Sequence, residues 1–302
     1  MAINLKLPRN LDRSSINSLM IHVLDENKRP LHNEVIIDFT TLNFIQPAGV
    51  VALDNMIAWL LKRNVNVSFN TYTNVLNNNT PTKYLDDSGF FKKHLRKPLV
   101  ESAVLRSTTI PLQDVNYEQS HSWLQLTFTP WLAEQLGVKK ATLGNIEMCL
   151  GEIFNNIKDH SYENIGCIYA QHFPQKKLLT FCIADFGVGI PYNIRKVVSN
   201  CSDSEALMYA IEEGFTTKTS PRNLGAGLYT MIKNVVVNLK GSVHINSGYG
   251  ILDVYSNNGE MVPRPLESAG FYPGTFLEFN IDTAEVEKED LETEEEEEFE
   301  WW

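Results

Sequence analysis

Apolar positions recur along this chain with two different periods, and the changes between them outline its elements. Over residues 141–160, Leu143, Ile146, Leu150, Ile153, Phe154 and Ile157 fall at helical steps, which predicts one helix with an apolar stripe. The first third alternates short strands and helices. Residues 3–7 read as a strand, and 12–24 as an amphipathic helix with Ser14 and Ser15 near its start. Residues 34–39 read as a buried strand and 47–63 as a helix, with Pro47 in the first turn, where its missing N–H is harmless. Residues 66–72 follow as a strand and 81–94 as a helix.

Further on, 118–136 is apolar at helical spacing through Trp123, Leu124, Phe128, Trp131 and Leu132, with Pro130 expected to kink or break it. Residues 165–172 and 178–183 suggest a strand pair turned at 174–177. Residues 203–213 read as a helix stopped by Gly214, and 232–239 as an apolar helix. Residues 241–247 and 250–257 look like a hairpin turned at 247–250, and 275–281 is the last strand. The proline- and glycine-containing stretch 259–273 reads as a loop.

At 302 residues the chain suits two domains. The pattern divides it into an αβ unit at 1–97, a linker at 98–117 that could pack as an edge strand, a second unit at 118–282 and a tail at 283–302. Apolar residues make up 43%, enough for ordinary cores, and no apolar run approaches transmembrane length. The first residues lack the apolar core of a signal peptide, and Cys149, Cys167, Cys182 and Cys201 form no CxxC pair. The expectation is a cytoplasmic protein with reduced core cysteines and no membrane association.

The net charge of −11 is concentrated at one end. Residues 285–302 hold eleven acids against Lys288 alone, which leaves the preceding 284 residues at a net −1. The body therefore has no basic footprint for nucleic acid. The acidic tail should be disordered by self-repulsion. Its terminal Trp301 and Trp302 suit docking into an apolar groove, while the run as a whole reads first as a solubilising tail.

Three stretches carry candidate chemistry. Glu152, Asn156 and His160 stand four apart and line one helix face. A carboxylate there can take a proton from an attacking water or hydroxyl. A carboxamide oxygen can ligate Mg²⁺, which keeps waters and substrate phosphates as its other ligands. A solvated helix face has the same polar stripe. Next, the apolar strand from Leu178 ends in Asp185 and continues Phe186-Gly187-Val188-Gly189. A carboxylate at a strand end, beside a floor kept low by glycine, can accept a hydrogen bond from an exocyclic amine. Last, Asn223-Leu224-Gly225-Ala226-Gly227-Leu228 runs into a helix, and glycines there let backbone N–H groups close on an anion. Each glycine pair also occurs in plain turns. The specificity lies in their order and spacing after the helix.

In that order the set resembles the GHKL ATPase superfamily, the Bergerat-fold group that includes gyrase B, MutL, histidine kinases and anti-sigma-factor kinases. Glu152-x-x-x-Asn156-x-x-x-His160 is similar to the family's N-box, Asp185-x-Gly187-x-Gly189 to its first glycine box, and Gly225-x-Gly227-Leu228 to its second. Phe215-Thr216-Thr217-Lys218 resembles the lid segment, and Gly274-Thr275-Phe276-Leu277-Glu278-Phe279 the closing strand. The resemblance covers about residues 118–282 and implies an α/β sandwich that binds ATP with Mg²⁺. It implies Asp185 accepting from the adenine amine, Gly187 and Gly189 admitting the base, and Thr275 reaching the adenine end. Asn156 would hold Mg²⁺, while Gly225, Ala226, Gly227 and Leu228 would give N–H groups to the phosphates. Lys218 would be a cation of a lid spanning 192–222, His160 would sit at the site's edge, and Glu152 would polarise the nucleophile. His121 lacks the His-Glu-x-Arg context of a phosphoacceptor helix, which argues against a sensor histidine kinase.

The first unit is similar to a STAS domain, the fold of anti-anti-sigma factors, through Val35-Ile36-Ile37-Asp38-Phe39 and Phe44-Ile45-Gln46-Pro47-Ala48-Gly49-Val50. The family's acceptor Ser falls on Ala48, which has no hydroxyl, and the preceding Asp falls on Gln46. The usual phosphorylation switch cannot operate there. The expected fold is thus an α/β chain, a STAS-like αβ domain followed by a GHKL α/β sandwich and a disordered acidic tail. The expected function is a nucleotide-controlled switch of the anti-sigma-kinase type, acting on a protein partner that is STAS-like or regulatory, with a homodimer compatible. Serine/threonine kinase activity, ATP hydrolysis that drives closure or dimer change as in the gyrase branch, and ATP binding without turnover all stay open.

Overall fold

A small parallel sheet organises the first hundred residues. The computed structural model describes residues 2–71, 80–114, 117–160, 165–215 and 226–286. In chain order, β1 (Ala2–Lys6), β2 (Asn10–Leu11), α1 (Ile16–Met20), β3 (Glu34–Asp38), β4 (Phe44–Ile45), α2 (Pro47–Lys62), β5 (Asn66–Asn70), α3 (Pro81–Asp87) and α4 (Phe90–Leu95) make up this N-terminal unit. β1, β3 and β5 lie side by side and parallel, with Leu5 opposite Ile37 and Ile37 opposite Phe69. Parallel neighbours need a crossover between them, and α1 and α2 sit in the two crossovers.

Two expected helices differ in extent. The helix predicted at 12–24 is regular only over Ile16–Met20, with turns on either side. The single helix predicted at 81–94 is two. Gly89 adopts φ +85°, a left-handed conformation that ends the first and opens the second. Asp86 just before this break takes the N–H groups of Leu99 and Val100 on its carboxylate, at 2.8 and 3.0 Å. That contact steers the chain back along the unit.

The rest of the chain is built on an antiparallel sheet. β6 (Thr109–Asp114) precedes α5 (Tyr117–Trp123), α6 (Thr129–Leu136) and α7 (Gly144–His160). β7 (Gly166–Phe173), β8 (Leu178–Asp185), α8 (Ile190–Ile194), α9 (Asp203–Ala210), α10 (Ala226–Lys233), β9 (Ser242–Asn257) and β10 (Glu260–Asp282) follow. The spatial order is β6-β7-β8-β10-β9. Part of the expected linker is therefore the edge strand β6. Pro130 falls in the first turn of α6, where it is tolerated, and a π-helical turn over Leu124–Phe128 joins α5 to α6.

The largest departure from expectation is the hairpin. All but the first of residues 259–273, read as a loop, belong to β10, and β9 runs unbroken through the turn expected at 247–250. The chain reverses instead at Asn258 and Gly259, both at positive φ. The prolines misled because Pro263 and Pro265 sit in a stretch of β10 that pairs with β9 alone, so their missing N–H groups interrupt no ladder.

Each face of the five-stranded sheet has its own core. Leu179, Phe181 and Ile183 of β8 face α7 and α10, against Leu150, Ile153, Phe154, Met231 and Ile232. Cys182 and Ala184 face the other way, into a core shared with the N-terminal unit through Val51, Leu53 and Trp59 of α2. Burial of each such large side chain is worth roughly 1.5–3 kcal/mol. Polar ties accompany the second core. Asn17 of α1 and Asn246 of β9 bond reciprocally, Nδ2 to Oδ1, at 3.3 and 2.6 Å. Arg13 reaches Glu278 on β10 at 3.2 Å. The chain is a mixed α/β protein, and among the described residues no helix is long and apolar enough to cross a membrane. The four cysteines are free and buried.

Candidate functional site

Asp185 is the last residue of β8 and is 7% exposed. Strand register places it directly opposite Gly166 on β7 and Thr275 on β10. The lack of a side chain at Gly166 brings α7 close. A Cβ there would stand 3.1 Å from Cγ2 of Ile157 and 3.7 Å from Cβ of Asp185. The α7 turn that carries Asn156 and Ile157 thus lies over the strand end that carries Asp185.

Burial is the main influence on this carboxyl and pushes it up to about 7. The Lys28 charge, the N–H groups of Gly187 and Thr275, and the Thr275 hydroxyl all pull the other way. A buried carboxyl held near neutrality inside a ring of donors is the electrostatic pattern of a recognition or catalytic group.

The glycines around it fit tightly for a backbone reason. Gly189 has φ +84° and opens α8; a Cβ on it would meet Ser247 Oγ at 2.7 Å and Gly274 O at 3.0 Å. Gly274 has φ +118°, and its Cβ would meet Asp185 O at 2.2 Å. Ser247 locks the stack: its hydroxyl donates to Gly274 O at 2.5 Å and accepts from Ile190 N–H at 2.9 Å. Register shifts in β10 between Glu267 and Thr275 lead into this spot and set Thr275 opposite Asp185. Gly187 is buried in the same loop.

Glu152 and Asn156 lie on the exposed side of α7, while Ile153, Phe154 and Ile157 are buried. Burial, with the Glu152 charge nearby, pushes the Cys149 thiol up to about 11, so it stays protonated. Ala226 and Gly227 are the first residues of α10, and Leu228, partly buried, packs on the α7-side core. Lys218 and Gly225 lie outside the described residues, and so does the side chain of His160. Among the described residues no group of three His, Cys, Asp or Glu side chains could hold a metal. A carboxamide on an exposed helix turn fits Mg²⁺ only as an ion that arrives with phosphate oxygens and waters.

Sequence reasoning missed Lys28. Its ammonium donates to the carbonyl of Gly187. The polar run Asp25-Glu26-Asn27-Lys28 signals a turn, but nothing in it signals what the turn touches. Beyond the glycine loop lies a cavity of about 490 Å³, lined by Lys28, Val188, Tyr192, Tyr249, Tyr272 and Gly274 among others. No known protein family matches the chain, and no curated protein matches it either.

Proposed function

We propose that this chain binds ATP with Mg²⁺ at the corner where α7 crosses the end of β8, as a GHKL protein of the anti-sigma-kinase type with a STAS-like N-terminal unit. One observation carries the reading: a buried carboxylate, Asp185, stands in register with the Thr275 hydroxyl, under the helix turn that carries Asn156. Those three groups come from separate stretches of the chain, and their order along it supports the reading.

In this reading Asp185 accepts from the exocyclic amine of adenine, and Thr275 orients the carboxylate. Asn156 offers its carboxamide oxygen to Mg²⁺, which when bound neutralises phosphate charge. The start of α10 presents N–H groups toward phosphate. Glu152, on the exposed side of α7, can reach a water or a hydroxyl of the substrate. The nucleotide then acts as a switch on a protein partner. Ala48, at the STAS acceptor position, is fully buried on α2, so a partner cannot reach that point in this conformation.

Calorimetry with ATP and Mg²⁺ tests the site. Wild type should bind, and D185N should bind at least tenfold more weakly, since a good buried hydrogen bond to a charged group is worth roughly 1.5–3 kcal/mol. Equal affinities would remove the base-reading role. E152A should keep ATP binding and lose turnover by roughly a hundredfold or more. Labelled ATP then sorts the outcomes. Label on a partner supports a kinase, free phosphate supports a hydrolase, and neither supports a binding module.

A further inference from the structure

A turn of the N-terminal unit reaches the glycine loop from the side of the sheet that unit covers. Asp25 N–H donates to Arg29 O and Lys28 N–H to Asp25 O, both at 2.9 Å. Arg29 N–H donates to Asp25 Oδ1 at 2.7 Å, and Leu24 bridges Pro30. Lys28 itself has φ +58°, a left-handed conformation uncommon for a residue with a side chain. The turn is therefore rigidly specified, and what it presents is the lysine. The ammonium ends on the carbonyl of Gly187, two residues beyond Asp185. The same loop is held from β10 by Gly274 and from β9 by Ser247. The lysine contact joins it to the N-terminal unit's turn.

We propose that Lys28 is a positioning residue for the candidate site: it pins the Gly187 turn and supplies the counter-charge to Asp185, so that the base-reading end is held from the N-terminal unit. The geometry stands by itself; the consequence for ATP rests on the function proposed above. Among the described residues, the Lys28 charge is the charge with the largest influence on Asp185, and the buried Tyr272 phenol of β10 also faces it. The phenol stays neutral, because burial pushes it well above its ordinary range. Removing Lys28 therefore takes away the main positive charge acting on Asp185. Loss of the cation must raise the carboxyl's midpoint, since a nearby positive charge favours the ionised form.

The test uses the full-length chain with ¹³C-labelled aspartate carboxyls. D185N identifies the Asp185 signal, and the titration needs no nucleotide. In wild type the midpoint should lie at about 7. In K28M and in K28Q, which keeps a donor without the charge, it should rise by roughly one unit, and K28R should hold it near wild type. Circular dichroism at each pH confirms that the variants are folded. A midpoint unmoved in whichever of K28M and K28Q is folded overturns the proposal. ATP affinity of K28M at pH 7 should fall roughly fivefold, the ratio of ionised fractions for a one-unit shift, and the gap should narrow by pH 9. If wild type binds no ATP, the nucleotide reading fails, while the carboxyl midpoint still decides the role of Lys28.

Discussion

The two helices that cover the five-stranded sheet, α2 on one face and α7 on the other, are buried to different degrees. Thirteen of the sixteen residues of α2 are buried, because it lies between the small parallel sheet and the large antiparallel one. α7 buries one stripe and leaves Glu152 and Asn156 exposed. A helix enclosed on both sides can serve only as packing. A helix enclosed on one side has a second face left for chemistry. Even the buried charge on α2 is structural: Asp54 is 1% exposed and accepts from Lys93 Nζ at 2.7 Å, with His94 Nε2 at 2.9 Å. Lys93 also pairs with Asp114 on β6, so the cluster ties both units together.

The sharpest way to break this contrast is at Phe186, which links the α2 side to the site. Its ring packs between Trp59 at 6.5 Å and Tyr272 at 5.4 Å. F186A should lose about 3–5 kcal/mol in chemical unfolding, in a single transition if the shared core makes the halves one cooperative unit. Two separated transitions in wild type would sink that view of α2.

D54A should cost about 3 kcal/mol by leaving Lys93 and His94 short of a buried partner. Burial works to raise the Asp54 carboxyl, yet the hydrogen bond from His94 and the charge of Lys93 hold it below the ordinary range. A depressed carboxyl contributes stability above its unfolded midpoint and loses it as pH falls through the folded one. The gap between wild type and D54A should therefore close in acid, below about pH 4. A gap constant down to pH 2 would contradict the ion-pair account.

Asp185 has the opposite sign. Its folded midpoint, about 7, lies above the unfolded one, so wild type loses stability as pH rises from about 4 to 7 and then levels off. D185N should be more stable than wild type by about 4 kcal/mol at pH 8 and equal near pH 4. Thermal unfolding at both values checks this, and a variant less stable at pH 8 would show that the carboxylate is structural. Smallest of all, E152Q on the open face of α7 should stay within about 0.5 kcal/mol of wild type. A larger loss would place Glu152 in the packing and end the contrast between the helices.

Much of this architecture was legible from local pattern. The stripe of α7, the pair β7 and β8, Asp185 at a strand end and Thr275 on the final strand all follow from residues close in sequence. The failures have a common cause. Pro263 and Pro265 read as loop because a proline's missing N–H matters only if a neighbouring strand needs it, and that neighbour lies elsewhere in the chain. The break at Gly89 was hidden because a single glycine is tolerated in a helical pattern unless a contact such as Asp86 with Leu99 and Val100 turns the chain.

The sequence alone determined most of the helices and strands, where the acids and glycines of the candidate site fall, and that Ala48 cannot be phosphorylated. Periodicity and side-chain chemistry are local properties, so they survive without the fold. The tertiary structure decided that α2 is enclosed on both sides, that Asp185 is held near neutrality, and that Lys28 reaches Gly187 from the other unit. Those depend on which surfaces meet and how far water is excluded, and both are set by contacts between segments distant in the chain, from Asp185 with Thr275, 90 positions apart, to Lys28 with Gly187, 159 apart.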